Sequence, residues 1–200
     1  MKKSPALAAA AVLALAAASM PVAAQELIYT AVLNGLREAP PNASPGAGAT
    51  VVTFDPNLFT MRVQVTFADL IGNVTAAHIH CCTALPGGGT VGVATETPSF
   101  AGFPHGASYG TYDHIFDMTL AASYNPAFIT ANGGTVSTAF SALLSGVGAG
   151  RAYLNIHSTF APGGEIRGFL ATPVPEPATW LMMLGGVAAL GGLVRRRSPA

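Results

Sequence analysis

Residues 61–67 alternate strictly between apolar and polar side chains. The apolar positions run at every second residue from Met61 to Phe67, and the positions between them are polar. Because successive side chains of a strand point to opposite faces, this pattern predicts a β-strand with one buried face. Other β-rich runs, separated by turn-forming residues, lie at 29–33, 48–54, 74–80, 90–95, 114–120, 152–157 and 165–170.

Many short strands with glycine and proline turns are typical of a sandwich or barrel. We therefore predict an all-β fold, specifically a Greek-key β-sandwich of the superoxide-dismutase-like or immunoglobulin-like type. One or two short helices are expected. Asn125 and Pro126 supply an N-cap and a first turn, and Gly133 ends that helix. Residues 138–145 are expected to form another turn or two. The last two runs, at 152–157 and 165–170, should form a hairpin.

The amino terminus has the pattern of a secretory signal peptide. Lys2 and Lys3 precede an apolar stretch at 6–18, and small residues follow at 22–24. We expect residues 1–24 to form an N-terminal signal helix that signal peptidase removes between Ala24 and Gln25. The chain is therefore predicted to be exported.

The carboxyl terminus has three parts. Val174, Pro175, Glu176 and Pro177 precede an uncharged apolar run at 178–194, and three arginines follow at 195–197. A helix over that run would be about 25 Å long, close to the roughly 30 Å of a bilayer core. We predict a transmembrane helix at 178–194 that anchors the precursor in the membrane, with the basic tail at 195–197 on the cytoplasmic side.

Residues 173–200 thereby resemble the PEP-CTERM sorting signal of Gram-negative bacteria. The resemblance implies an exosortase that cuts near residues 175–177. It also implies export through the inner membrane to the cell surface or an extracellular polysaccharide matrix, with exopolysaccharide as a possible partner. The rest of the chain, residues 25–172, is expected to form a single domain.

The charge balance limits the classes of function that we expect for the chain. The whole chain carries nine basic and nine acidic residues, but five of the basic ones lie in the two terminal segments. Between residues 25 and 173, four arginines face eight acids, a net charge of −4. An acidic body without a basic cluster is not expected to bind nucleic acid. Hydrolase elbows, phosphate loops and zincin motifs are missing from the sequence, so we assign no catalytic residue and expect no enzyme. A metal-dependent redox activity is the one exception left open.

Three motifs of the body resemble the CHRD domain. Leu33-Asn34-Gly35 with residues 38–41 looks like its opening, and Ala-Ala-His-Ile-His at 76–80 like its centre. Residues 152–157 and 162–168 look like its closing motif. Together they cover about residues 27–171. The resemblance implies an extracellular module without supplying an activity, so we expect a structural or interaction module of the matrix.

The histidines suggest a metal site. His78 and His80 are two residues apart on a predicted strand, so both imidazoles project from one face. His157 ends another predicted strand, and if the two strands are neighbours the three rings can converge. Three imidazole nitrogens suit zinc or copper. The arrangement is similar to that of Cu/Zn superoxide dismutase, where a His-x-His strand and a late histidine bind copper.

Two alternatives stay open for these residues. The three histidines could instead hydrogen-bond the backbone or an acid such as Glu165 and pin the hairpin to the sheet. His105 and His114 could complete a site, or they could be exposed loop residues.

Cys81 and Cys82 directly follow His80. In an exported protein two cysteines suggest a disulfide. Adjacent Cα atoms lie only about 3.8 Å apart, below the usual range for a bridged pair. A vicinal disulfide, free or intermolecular thiols, and soft ligands for Cu(I) beside His80 are the three interpretations. If the strand continued that far, Cys82 would share the face of the histidines.

Overall fold

A computed structural model of the chain describes residues 26–173. Within these residues, no helix is long and apolar enough to cross a membrane. The predicted signal peptide with its cleavage point at Ala24 and Gln25 lies outside the described part. So do the sorting motif from Val174 to Pro177, the predicted transmembrane helix at 178–194 and the basic tail at 195–197.

The described residues form seven antiparallel strands. They are β1 Leu27–Asn34, β2 Ala47–Asp55, β3 Thr60–Ala68, β4 Val74–Cys81, β5 Gly110–Asp117, β6 Ala152–Ser158 and β7 Ile166–Phe169. The strands form a single sheet in the order β4-β6-β7-β1-β2-β3-β5. Strands β1, β2 and β3 follow one another as a meander, whereas β4 crosses to one edge of the sheet and β5 returns to the other.

Two α-helices follow β5, namely α1 at Pro126–Ala131 and α2 at Val136–Gly148, and 3-10 turns lie at Gly35–Arg37 and Ala121–Ser123. Helix α1 begins at the predicted place, because the Asn125 side chain accepts a hydrogen bond from the backbone N–H of Ala127 at 2.9 Å. Helix α2 has 13 residues, longer than predicted. A reciprocal capping box between Thr135 and Thr138 starts it.

Two predicted strands differ from those observed. Residues 90–95 form no strand and contribute only isolated bridges, from Val93 to His80 and from Thr95 to Tyr124. The Val91 carbonyl accepts a hydrogen bond from a histidine ring instead of extending a ladder. The strand expected at 114–120 lies at Gly110–Asp117, because it pairs with β3 along its whole length and ends where β3 begins.

The inward faces of all seven strands build one apolar core. Met61, Val63, Val65 and Phe67 on β3 are at most 4% exposed, so the predicted inner face is confirmed. The segment between β4 and β5 bridges the two edges of the sheet. The Phe100 N–H donates to the Ala77 carbonyl of β4, and the hydroxyl of Tyr112 on β5 donates to the Ala101 carbonyl. The all-β class is confirmed, with both layers of the core belonging to one curled sheet.

The opposite face of β4, β6 and β7 carries a second buried layer, which is polar. Strand register places His78 opposite Asn155 and His80 opposite Tyr153. Asn155 in turn lies opposite Arg167 on β7. Irregular segments after β4 and between β6 and β7 cover this face, so strand residues of either parity are buried here. We call this the polar layer.

Candidate metal centre

Three histidines meet in the polar layer. One ring nitrogen from each of His78, His80 and His157 lies within 4.8 Å of the corresponding nitrogen of the other two. The ring centroids are 5.3 to 5.9 Å apart. Strands β4 and β6 are neighbours, and His157 lies opposite Ala76, diagonally across from His78. The predicted convergence of the three rings required these two strands to be neighbours.

A backbone carbonyl fixes the orientation of each ring. Nε2 of His78 donates to the Pro98 carbonyl at 2.6 Å, and Nδ1 of His80 donates to the Val91 carbonyl at 2.8 Å. Nδ1 of His157 donates to the carbonyl of Pro162 at 2.9 Å. Since a carbonyl can only accept, the bonded nitrogen of each neutral ring carries the hydrogen and the other nitrogen holds a lone pair.

The remaining nitrogens are buried and have no hydrogen-bond partner. They are Nδ1 of His78, Nε2 of His80 and Nε2 of His157. Buried polar atoms are normally paired, so three orphan acceptors in one cluster require an explanation. A bound cation would satisfy all three at once, and ligand histidines usually donate their other N–H to a carbonyl or carboxylate.

Burial also sets the protonation state. Burial and, to a smaller extent, the adjacent histidines lower the pKa of His78 and His80 to about 4, although the hydrogen bonds to the backbone carbonyls raise it. Burial likewise lowers the pKa of His157. The rings are therefore neutral at pH 7, which is the form that coordinates a metal.

The spacing fits a transition metal after a small adjustment. Nitrogens bound at about 2.0–2.1 Å in a tetrahedral site lie roughly 3.4 Å from one another. From separations of at most 4.8 Å, each ring reaches such a site by moving no more than about 1 Å toward the centre. The three histidines could therefore hold a metal ion.

The acid proposed as an alternative partner lies elsewhere. Glu165 accepts hydrogen bonds from the Ser44 hydroxyl and the Ile71 N–H, both at 2.6 Å. Its other oxygen accepts from the Gly72 N–H at 3.2 Å and from the Ser158 hydroxyl. Burial raises the pKa of Glu165, but these hydrogen bonds outweigh it and hold the pKa below its usual value. Glu165 thus ties loops to the β6–β7 hairpin, and the histidines use backbone carbonyls.

Two other predicted candidates lie away from the centre. His105 and His114 are exposed and do not belong to the histidine cluster. Neither completes a site with His78, His80 and His157.

Cys81 and Cys82 are joined in a disulfide bond. Strand β4 ends at Cys81, so Cys82 does not continue on the face of the histidines. Both sulfurs lie against Gly146 of α2, where an added Cβ would overlap them. They line a groove of about 610 Å³ between the end of β4 and the two helices. The structure thus does not support their use as soft ligands in the histidine cluster.

Sequence reasoning missed the residues around the rings. Tyr153 stacks on His80 with centroids 4.8 Å apart and planes 5° from parallel. The guanidinium of Arg167 lies 4.7 Å from the centroid of Tyr153, and its Nε is 3.7 Å from Glu38. Asn155 is 2% exposed, and its side-chain oxygen has no partner. The sequence did contain one signal for these residues. Alternation along the strand at 152–157 puts residues 153, 155 and 157 on one face.

Comparisons with known protein families give matches for two stretches of the chain. A family model described as the CHRD domain matches residues 29–170. A second model, the PEP-CTERM protein-sorting motif, matches residues 173–198. No curated protein and no solved structure matches the chain. The two matched models describe a domain and a sorting motif, and neither description names an enzymatic activity.

Proposed function

This chain belongs to the CHRD-domain family, and from that premise we propose that its β-domain is an extracytoplasmic binding module for one copper or zinc ion. The sorting motif makes it an exported protein that is processed at the membrane by exosortase. His78, His80 and His157 are the proposed ligands. Two observations carry the proposal: each of the three rings has a buried nitrogen without a partner, and one ring nitrogen from each histidine lies within 4.8 Å of the other two.

The surroundings of the rings support a preformed site. Each ring is held by a carbonyl from an irregular segment, at Val91, Pro98 or Pro162. These carbonyls fix the tautomer, so the ligand set does not have to be assembled from protonated or rotated rings. Preorganisation of this kind reduces the ordering cost of binding.

Binding is a better proposal than turnover. Each of the three orphan nitrogens exposes less than 1 Å² of surface. A redox enzyme would need a path by which an oxidant reaches the metal, and ligand nitrogens covered in this way favour storage or structural use. The copper-dependent enzyme expected as a remote alternative is therefore not part of the proposal.

The place of action comes from the sorting motif. We propose that a Gram-negative cell exports the precursor through its inner membrane, after which cleavage near residues 175–177 frees the domain at the surface. Retention in an exopolysaccharide matrix, as a structural or interaction module, is the second candidate function, because the sorting motif directs the domain to the outside of the cell, where such a matrix lies. Deleting the gene and measuring matrix polysaccharide and biofilm mass tests that role independently of metal.

Metal content tests the main proposal. The full-length chain, purified in mild detergent, is expected to bind one equivalent of copper or zinc after dialysis, as measured by elemental mass spectrometry. A His78→Ala, His80→Ala, His157→Ala variant should bind less than a tenth as much. The matched control replaces the exposed pair, His105→Ala with His114→Ala, and should bind as the wild type does. Equal metal content in all three proteins would overturn the proposal.

A further inference from the structure

The charges around the three histidines bear on which ion they take. Among the described residues, the metal-ligand cluster contains three histidines and no aspartate, glutamate or cysteine. The buried acid Glu165 is occupied by hydroxyl and backbone donors. An ion entering this site would thus meet three neutral donors and keep its whole positive charge.

The charged side chain that stacks closest to His80 is also positive. Arg167 lies on one face of Tyr153, and the His80 ring lies 4.8 Å from the same tyrosine. The guanidinium is permanently charged, so the tyrosine that stacks on His80 also contacts a cation.

The partner of Arg167 only partly balances it. Glu38 lies 3.7 Å from the guanidinium, and both side chains are about 5% exposed or less. Burial raises the pKa of Glu38, although Arg167 lowers it. Arg167 donates its hydrogen bonds to the carbonyls of Arg37 and Gly89 rather than to Glu38, so the carboxyl group only partly screens the guanidinium.

The cost of burying an ion rises with the square of its charge. By the Born relation, a dication costs about four times as much to desolvate as a monocation of the same size. In a site without a carboxylate or thiolate, Zn²⁺ or Cu²⁺ would need an anion from solution to offset this cost. A monovalent ion needs none.

Coordination number points the same way. Zinc is almost always four-coordinate, so with three histidines it would take a water molecule as its fourth ligand, and Cu(II) prefers tetragonal geometry. The three histidines supply three nitrogens, a number that Cu(I) accepts as complete without a ligand from solvent. Among the described residues, two other buried side-chain oxygens have no partner, the Asn155 amide oxygen and Oε1 of Glu38. Glu38 is not part of the ligand cluster, and the amide oxygen is a hard, neutral donor, which adds no charge and suits Cu(I) poorly.

From these observations we infer that the three-histidine site selects Cu(I) over Zn(II) and Cu(II), and that the buried Arg167 contributes to this selection. The inference rests on the proposed function, since it assumes that the histidines bind a metal. It assigns Arg167 and Tyr153 the role of positioning residues, which act on the metal through His80.

Competition with chromophoric chelators tests the selection. The full-length chain is titrated with Cu(I) against bicinchoninate under argon with ascorbate, with Zn(II) against a zinc indicator, and with Cu(II) against glycine. We expect one equivalent of Cu(I), bound at least about a thousandfold more tightly than either dication. A Cys81→Ser, Cys82→Ser variant should give the same Cu(I) affinity, which excludes binding by reduced thiols.

A pair of double variants tests the role of Arg167. Arg167→Met with Glu38→Gln removes the buried ion pair and should reduce the ratio of Cu(I) to Zn(II) affinity about tenfold. Arg62→Met with Asp113→Asn removes an exposed ion pair, whose side chains are 47% accessible, and should leave the ratio unchanged. If the first variant does not fold, as judged by circular dichroism, the affinity ratio of the wild type still decides the selection.

The outcomes separate the two proposals. Stoichiometric binding of Zn(II) or Cu(II) that equals Cu(I) binding, and that is lost in the triple histidine variant, would overturn the Cu(I) inference and leave the metal-binding function intact. Absence of binding by any of the three ions would overturn both. An unchanged affinity ratio in a folded Arg167→Met, Glu38→Gln variant would overturn the role of Arg167.

Discussion

Replacing His80 by glutamine should change the pH dependence of stability of the metal-free protein. In the unfolded chain this imidazole titrates near its ordinary pKa of 6.5, whereas burial lowers its pKa in the folded protein to about 4. Above pH 6.5 both states are neutral at this ring. As the pH falls toward 4, the unfolded state binds a proton that the folded state does not bind, so the wild type loses stability. Glutamine does not titrate and is free of this loss.

The size of the effect follows from the two pKa values. The difference between 6.5 and about 4 corresponds to about 3 kcal/mol of unfolding free energy. His80→Gln should be less stable than the wild type at pH 7, because it disrupts the stack on Tyr153 and the hydrogen bond to Val91. Between pH 7 and pH 4 that deficit should shrink by about 3 kcal/mol. His78 has a similarly lowered pKa, and coupling between the two rings shares part of the effect.

Urea unfolding followed by circular dichroism measures this difference, with a strong chelator present and both proteins examined at half-unit steps from pH 4 to 7. Taking the difference between variant and wild type cancels the contributions of other groups, among them Glu38, whose raised pKa acts in the opposite direction. His105→Gln, at an exposed loop position, is the matched control and should show a constant difference. A His80→Gln deficit that stays constant across this range would refute the assignment of His80 as a buried neutral ring.

Three further predictions concern the framework and the metal. Glu165→Gln should lower the unfolding free energy at pH 7 by about 2 kcal/mol or more, since an amide cannot accept from all four donors. The control Glu26→Gln, at an exposed position, should change the unfolding free energy little. Equal effects of the two substitutions would contradict this account. Gly146→Ala should destabilise the oxidised protein by about 1–3 kcal/mol because its Cβ meets both sulfurs. Gly148→Ala, whose Cβ would lie 3.5 Å from the Tyr29 hydroxyl, should be neutral or stabilising, and thermal melts distinguish the two. A metal at a thousandfold excess over its dissociation constant should raise the unfolding free energy of the wild type by about 4 kcal/mol. Calorimetry measures this increase, and the triple histidine variant should not show it.

Most of the strands could be predicted because their signal is local. The alternation at Met61 to Phe67 needs only period two and one buried face, and the glycine-rich turn after β6 marks a hairpin. The prediction of a strand at 90–95 was wrong because the Val91 carbonyl bonds the His80 ring instead of a strand neighbour, a tertiary effect that composition does not record. Helix α2 was underestimated because its start depends on the reciprocal capping of Thr135 and Thr138, a pair without the usual acidic residue.

The candidate site could be predicted in part. His78 and His80 share a face by strand geometry alone, so that half of the site is readable from spacing. The contribution of His157 depends on β4 lying beside β6, and β4 reaches that position only by crossing the sheet after β3. Tyr153 and Arg167 gain their roles from packing in the polar layer. No spacing rule could have revealed that layer, because it is covered by irregular segments.

The same topology would couple the proposed metal binding to folding. His78 and His157 are 79 residues apart in sequence, so the complete ligand set exists only after β4 has docked beside β6. Two of the carbonyls that fix the rings lie in the segment between β4 and β5, and the third lies in the β6–β7 hairpin. An ion that binds all three nitrogens therefore binds the folded state almost exclusively, and its binding free energy adds to the free energy of unfolding. A domain released outside the cell would acquire its ion after folding, and the ion would then hold one edge of the sheet, the hairpin and the covering segments together.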